Sequence, residues 1–470
     1  MNNALPVAII GAGPAGLAAA AHLLQKGEEP LVFEAGARAG SAILEWGHVR
    51  LFSPWRYLID EASRTLLSDA GWSAPDPQAH PTGREFVEDY LAPLAATPRI
   101  HNCLRLDQRV AAVARVGYDL MKTAGRTRAP FELTIVAPDG SESRVLARAV
   151  IDVSGTYAQP NPLGGSGIPV AGEHAAANRF FYGIPKVLSV DRERYAGKRV
   201  LVAGSGHSAF NALLDLVDLS ESEPATSIVW AVRRRGTRLA GLFGGGVSDA
   251  LPARGELGAR VKRLVDSGQL QLLTSFSATR VRSALAGLVI ESDVAETPPV
   301  DEVIVATGFR PDLSMLTEIW LGLDPATQAP SALAPLIDPN VHSCGTVPPH
   351  GYEELKHPEK DFYIAGMKSY GSAPTFLTLT GYEQVRSIAC ALTGDMEGAR
   401  AVRLVLPETG VCSSTTLTGR GVACCGGSAA EPSDAACCTS PASTASGCCS
   451  DTVPQLIQLT SAASIAGCCG

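Results

Sequence analysis

The sequence predicts an α/β fold with two Rossmann-like units, each built on a parallel sheet, followed by a disordered cysteine-rich tail. Three observations predict it. An apolar strand runs into Gly-x-Gly-x-x-Gly at residues 7–17, a second strand–glycine–helix pattern opens at Lys198, and beyond Leu406 the composition shifts to Ser, Thr, Ala, Gly and Cys.

In the first pattern Val7-Ala8-Ile9-Ile10 reads as a buried strand and the Ala-rich run from Pro14 to Gln25 as the helix that follows. Gly11 permits the tight turn, Gly13 leaves room for a pyrophosphate against the backbone, and Gly16 lets helix and strand pack closely, with Pro14 and Ala15 between them. The helix N-terminus then faces the anion. Lys26-Gly27 is a helix stop with a left-handed glycine, and Leu31-Val32-Phe33 is a second strand closed by Glu34. Glu34 lies 23 positions past Gly11, where a carboxylate meets ribose hydroxyls. A free 2′-hydroxyl is implied, as in FAD or NAD.

The chain of 470 residues is long enough for about three domains. Its 46% apolar and 18% charged residues are ordinary globular composition, and a net charge of −8 without a basic tract argues against a nucleic-acid partner. Residues 4–25 hold no Asp, Glu, Lys or Arg, but no basic segment precedes them and the glycines fit the turn pattern, so neither a leader nor a membrane span is expected. Of the twelve cysteines only Cys103, Cys344 and Cys390 precede residue 412. That is a tail, not a disulfide framework, and it suits a cytoplasmic protein.

After Glu34, a loop rich in glycine and aromatics carries Trp46 and Leu51-Phe52-Ser53-Pro54-Trp55; it either wraps the far end of a dinucleotide or packs as a surface loop. Residues 83–96 have helical spacing, and strands are expected at 109–113, 131–136 and 145–153, with a hairpin turn at Asp139-Gly140. Ser154-Gly155 closes this unit. Residues 159–185, rich in Pro, Gly and Asn, read as a linker.

Lys198–Ala209 repeats the opening as Gly204-Ser205-Gly206-His207-Ser208-Ala209, now Gly-x-Gly-x-x-Ala. The strand Ile228–Val232 ends in Arg233-Arg234-Arg235 where the first unit has its carboxylate. An arginine there suits a 2′-phosphate, which points to NADPH; the alternative is a solvated basic turn. His207 reads as a loop residue whose backbone amide faces phosphate. Residues 237–259 look irregular, 257–264 helical, and 270–273 and 287–290 extended. The apolar run from Asp301 ends in Ala306-Thr307-Gly308 and Pro311. His342, Cys344, His350 and His357 match no structural zinc spacing and read as a substrate-facing loop. A strand at 361–366 and a helix from about Thr378 to Leu392 complete the ordered part, with the helix N-terminus able to meet an anion.

On these motifs, residues 5 to about 396 resemble the two-dinucleotide-binding flavoproteins, and within them the flavin-containing monooxygenase branch. His48–Trp55, Gly204–Ala209 and the run from Cys344 through Gly366-Met367-Lys368-Ser369-Tyr370-Gly371 to Gln384 are similar to flavoproteins associated with bacterial arsenic-resistance operons. The resemblance implies an FAD domain at 1–160, an inserted NADPH domain at 161–305, the rest of the FAD domain at 306–406 and the tail at 407–470. It implies FAD on Gly11, Gly13, Pro14, Ala15, Gly16 and Glu34, with Trp46, Ser53, Val110, Ser154, Gly155, Gly366 and Met367 around it. NADPH would lie on Gly204, Ser205, Gly206, His207, Ser208, Arg233, Arg234, Thr307 and Gly308, 306–311 being the crossing back. Two departures matter. Gly172-Glu173-His174 is only a fragment of the Phe-Gly-His signature of many such monooxygenases, and no Cys-x-x-Cys or Cys-x4-Cys precedes residue 412 to serve disulfide reduction.

The implied activity is NADPH oxidation through flavin, with molecular oxygen delivering one atom to a small soft nucleophile, a trivalent arsenical among the candidates. No catalytic side chain is assigned, since the flavin carries the chemistry. The alternatives are a reductase without oxygenation, or a metal(loid)-binding module fused to a flavoprotein. The latter rests on the pairs Cys424/Cys425, Cys437/Cys438, Cys448/Cys449 and Cys468/Cys469, soft thiolates suited to thiophilic metalloids, in a segment too poor in apolar residues to order itself.

Overall fold

The computed structural model describes residues 5–235, 241–243, 252–339, 341 and 347–404. The strands in chain order are β1 (Val7–Ile10), β2 (Pro30–Phe33), β3 (Leu104–Arg105), β4 (Arg109–Arg115), β5 (Phe131–Val136), β6 (Glu142–Ala147), β7 (Ala149–Asp152) and β8 (Phe180–Tyr182). They continue as β9 (Arg199–Ala203), β10 (Ser227–Ala231), β11 (Gln271–Leu273), β12 (Ala278–Ala284), β13 (Gly287–Ser292), β14 (Glu302–Val305) and β15 (Phe362–Ile364). Five helices matter here: α1 (Pro14–Gln25), α2 (Glu61–Asp69), α3 (His207–Ser222), α4 (Pro252–Asp266) and α5 (Thr378–Leu392).

The first sheet has the order β15-β7-β1-β2-β3 and is parallel throughout. Successive residues of a strand point to opposite faces, so Val7 and Ile9 join one core with α1, α2 and α5, while Ala8 and Ile10 join another with β4–β6. Both faces are covered, which is why these strands are apolar without alternation. The alanines of α1, all buried from Ala18 to Ala21, let this helix lie close to the sheet and to α5. The second sheet, β11-β10-β9-β14-β8, repeats the arrangement. Val200 and Val202 pack toward α3, and Leu201 and Ala203 toward the β12–β13 hairpin.

The expected helix stop at Lys26-Gly27 is present, Gly27 having φ +79°. Residues 83–96 are helical throughout, opened by a reciprocal Thr82/Glu85 cap. The Asp139-Gly140 turn joins β5 to antiparallel β6. Other expectations need correction. Residues 145–153 are not one strand: the chain breaks at Arg148, whose amide donates to Pro6, and β6 and β7 enter different sheets. The supposed linker at 159–185 contains β8, an aromatic run that pairs in parallel with β14 at the sheet edge. Tertiary pairing overrides the loop-like composition around it. Helix α4 is longer than the expected 257–264, and β13 is paired with β12, a strand the sequence reading did not name.

Candidate functional site

The first fingerprint lies at the carboxyl ends of β1, β2, β7 and β15, where the order reverses on either side of β1. Open α/β sheets bind ligands at such a switch point. Gly11 has φ +105°, and a Cβ there would stand 3.0 Å from the Val153 carbonyl and the Ser154 Cα. At Gly16 a Cβ would fall 1.9 Å from the Gly11 carbonyl, so helix and turn can meet only because residue 16 is glycine. Gly13, the N-cap of α1, has nothing within 4 Å of its Cβ position. It faces open space, and Pro14 follows at the first helical position.

Glu34 is tied to this turn directly, accepting from the amide of Ala12 at 2.8 Å and from that of Gly36 at 2.9 Å. Gly366, with φ +65°, brings the segment after β15 against Ala15, whose Cβ would be 3.1 Å from one built on the glycine. The structure thus gathers Gly11, Gly13, Ala15, Gly16, Glu34, Ser154 and Gly366 around one turn. Gly155 is left-handed with free space beside it, and Met367 is half-buried next to Gly366. Val110 packs its side chain among Ala8, Ile10 and Phe33, beside a register shift in β4. Trp46 lies over Gly83, at the N-terminus of the 83–96 helix, and Ser53 is half-buried in the loop that follows.

Behind this rim the sequence reading missed two buried networks. Lys368 donates to Asp152 at 2.6 Å and to the Ser154 hydroxyl at 3.0 Å, with both charged side chains fully buried. Gln384 of α5 accepts from the Gly366 amide at 2.8 Å and donates to the Ser369 hydroxyl and to His350 Nε2. His350 Nδ1 lies 3.0 Å from the Pro348 carbonyl, to which it donates, so Nε2 is left as the acceptor. Burial pushes this imidazole below its ordinary pKa. His357 instead accepts the Gly322 amide at 3.2 Å, and burial pushes it down to about 4. Two of the four residues weighed as ligands therefore serve separate local bonds, while His342 and Cys344 lie outside the described residues. A polar residue inside an apolar periodic segment, such as Gln384, is the one sequence signal these networks offered.

The second fingerprint occupies the matching switch point between β9 and β14. A Cβ on Gly204, at φ +137°, would stand 2.3 Å from the Ala306 carbonyl, which draws Thr307 and Gly308 to this turn. Here a cavity of about 730 Å³ is lined by Gly204, Ser205, Gly206, His207 and Ser208, by Arg233, Arg234 and Arg235, and by Thr307, Gly308 and Pro374. All nine predicted residues meet in it. Pro374 belongs to the segment between Met367 and α5, so the two sites adjoin.

The arginines differ in their present partners. Arg233 donates to the Gly165 carbonyl at 2.8 Å and Arg234 to that of Gly241 at 3.1 Å, whereas Arg235 has no partner among the described residues. His207 lines the cavity, but as the first residue of α3 rather than as a loop residue, and its ring meets Phe52 edge-on at 4.9 Å. Thr307 is partly committed elsewhere, donating to the Asn161 carbonyl at 3.0 Å. Asn161 in turn accepts from Arg310 at 2.7 Å, and Pro160 pairs with Phe309. The two strands crossing between the sheets are thereby tied to each other. The Gly172-Glu173-His174 fragment has a structural explanation: buried Glu173 accepts from the Leu163 and Val170 amides and from the Tyr182 hydroxyl. It holds the 163–182 segment together. Cys424, Cys425, Cys437, Cys438, Cys448, Cys449, Cys468 and Cys469 lie outside the described residues.

Comparison with known proteins agrees with this geometry. Residues 9–70 match the family described as the NAD(P)-binding Rossmann-like domain. The chain is 26% identical over 319 residues to a ferredoxin–NADP reductase of Salinispora tropica, covering 68% of this chain and 78% of that one. In structure it is similar to a bacillithiol disulfide reductase from Bacillus cereus, with TM-score 0.60 and 20% identity over 83% of this chain and 99% of the other. It is also similar to DfoA bound to FAD, a cadaverine monooxygenase from Erwinia amylovora, with TM-score 0.58 and 14% identity over 87% and 99% of the two chains. The described residues therefore have the α/β, two-domain Rossmann-like fold that these oxidoreductases share.

Proposed function

We propose that the chain is an FAD-dependent, NADPH-oxidising oxidoreductase that acts as a monooxygenase on a small soft nucleophile, a trivalent arsenical among the candidates. The observation that carries the reading is the pair of adjoining glycine-turn sites, one closed by Glu34 and the other by three arginines around a cavity of about 730 Å³. The residues fit the groups. Gly13 leaves the space a pyrophosphate needs, Glu34 suits ribose hydroxyls, and the Gly366–Met367 segment with the uncapped N-terminus of α5 suits the flavin end. Gly204 to Ser208 with Arg233 and Arg234 suit a nicotinamide dinucleotide carrying a 2′-phosphate. Bound flavin would supply hydride acceptance and electron delivery to oxygen, while the chain binds, orients and separates the reactants from water.

The purified chain is expected to be yellow and to release FAD on denaturation. Because no protein atom lies within 4 Å of the Gly13 Cβ position, Gly13→Glu is expected to fold and yet be colourless. A wild-type chain that takes up no FAD overturns the reading.

The identity to a ferredoxin–NADP reductase supports a second reading, electron transfer to a protein, quinone or metal(loid) without oxygenation. Turnover under isotopically labelled oxygen separates the two. Label in the organic or metalloid product supports the monooxygenase; label recovered only as hydrogen peroxide, or turnover undiminished without oxygen, supports the reductase.

A further inference from the structure

The loop that carries Trp46 and Ser53 reaches across to the second unit and grips helix α3 at two places. Phe52 meets His207, the first residue of the helix, at 4.9 Å between ring centroids. Two turns further along, Asp215 Oδ2 lies 3.8 Å from His48 Nε2, with both side chains about one quarter exposed. Neither buried ring nitrogen of His48 makes a close hydrogen bond; the Asp215 carboxylate and the Pro185 carbonyl are its polar neighbours. An imidazole in that condition is costly unless a neighbour can take or give a proton. Since α3 begins at His207, directly after Ser205 and Gly206, whatever holds α3 also holds the glycine turn of the second cavity.

We propose that His48 and Asp215 are positioning residues for the second nucleotide site: together they form a proton-sensitive clasp that fixes helix α3 against the loop of the first site. The proposal rests on the reading of that cavity as the NADPH site.

The surroundings set the direction of the response. Burial lowers the His48 imidazole and Lys186 adds to this, while the Pro185 carbonyl and Asp191 oppose it. Burial raises the Asp215 carboxyl to about 7, helped by Asp218 and opposed by Arg260. Above a carboxyl pKa of about 7, Asp215 is ionised and faces the neutral, N–H-bearing imidazole of His48 across 3.8 Å. As pH falls through about 7, Asp215 takes up a proton and loses its charge, so that His48, whose charged form Lys186 opposes and Asp191 favours, no longer faces a carboxylate at this contact. The clasp therefore holds at neutral pH and loosens as pH falls.

A double-mutant cycle on NADP⁺ affinity tests this in the FAD-loaded full chain. Dissociation constants are measured for wild type, His48→Ala, Asp215→Ala and the double variant at pH 7.5 and pH 5.5. Titration of the ligand's own phosphate cancels within the cycle. The expected result is a coupling factor of at least about fivefold at pH 7.5 that falls toward one at pH 5.5. Should an alanine variant fail to fold, the same cycle is built from His48→Gln and Asp215→Asn. A coupling factor of one at pH 7.5, or an equal factor at both pH values, overturns the clasp while leaving the NADPH site in place. A wild-type chain that binds no NADP⁺ overturns both.

Discussion

At the scale of single residues, a few glycines and charges decide whether the two sites exist. A Cβ on Gly16 would penetrate to 1.9 Å from the Gly11 carbonyl, and backbone cannot yield as a flexible side chain can. Gly16→Val is therefore expected to lose FAD and to lower the melting temperature together, unlike Gly13→Glu, which loses FAD alone. Calorimetry with flavin absorbance distinguishes the two outcomes. Removing one charge-assisted hydrogen bond costs roughly 1.5–3 kcal/mol, or about ten- to over a hundredfold in affinity. Arg233→Ala should thus weaken NADPH far more than NADH. The bond from Arg233 to Gly165, and Arg235 in the same cavity without a partner among the described residues, offer a specific alternative. If Arg235→Ala carries the discrimination instead, Arg233 serves to hold the 163–168 segment.

At the scale of elements, buried charge fixes how loops are attached to the sheets. Glu359, 1% exposed, accepts from Arg115 and Arg126 at 2.8 Å each, and these arginines lie over the rings of Phe131 and Trp320. Breaking a buried pair from one side typically costs about 3–5 kcal/mol. Glu359→Ala is expected to lower chemical-denaturation stability by about that amount, while leaving the affinity of the folded protein for NADP⁺ unchanged. Asp60 performs a similar task for α2. It caps the helix through the Ser63 amide at 2.8 Å and pairs with His22 at 2.9 Å. Burial would raise its carboxyl, but His22 and the bonds from Ser63 outweigh this and hold it below the ordinary value. A carboxyl depressed on folding contributes stability above its unfolded pKa of about 3.9 and loses it as pH falls through the folded value. Unfolding midpoints measured from pH 6 to pH 3 should fall less steeply for Asp60→Asn than for wild type; equal slopes would remove Asp60 from the account.

At the scale of the whole molecule, two sheets of the same construction stand on either side of a tied crossing, Asn161 on one strand bonded to both Thr307 and Arg310 on the other. No helix among the described residues is long and apolar enough to cross a membrane. The cysteine pairs beyond Leu406 add a separable property if they collect a thiophile for the flavin, as a tether raises local concentration. A chain ending at Leu406 should keep its FAD content and its NADPH oxidation, but show a raised KM for trivalent arsenic. An unchanged KM, with no arsenic bound by the full-length chain, would set the arsenical candidate aside.

The residues of both fingerprints, the strands that lead into them, the carboxylate at Glu34 and the arginines after β10 were legible in the sequence. Each follows from a local rule: glycines where backbone must approach backbone, apolar runs where a parallel strand is buried on both faces, a charge at a fixed distance from a turn. The same local rules misread residues 145–153 and 159–185, because a strand's partner is not written in the strand. Only the tertiary structure decided that β8 completes the second sheet, that Glu173 is a structural carboxylate, and that Lys368 and Gln384 turn inward beneath the first site. It alone placed His48 against Asp215, 167 positions apart in the chain. Such pairs depend on burial and on long-range closure, and neither leaves a periodicity for the sequence to display.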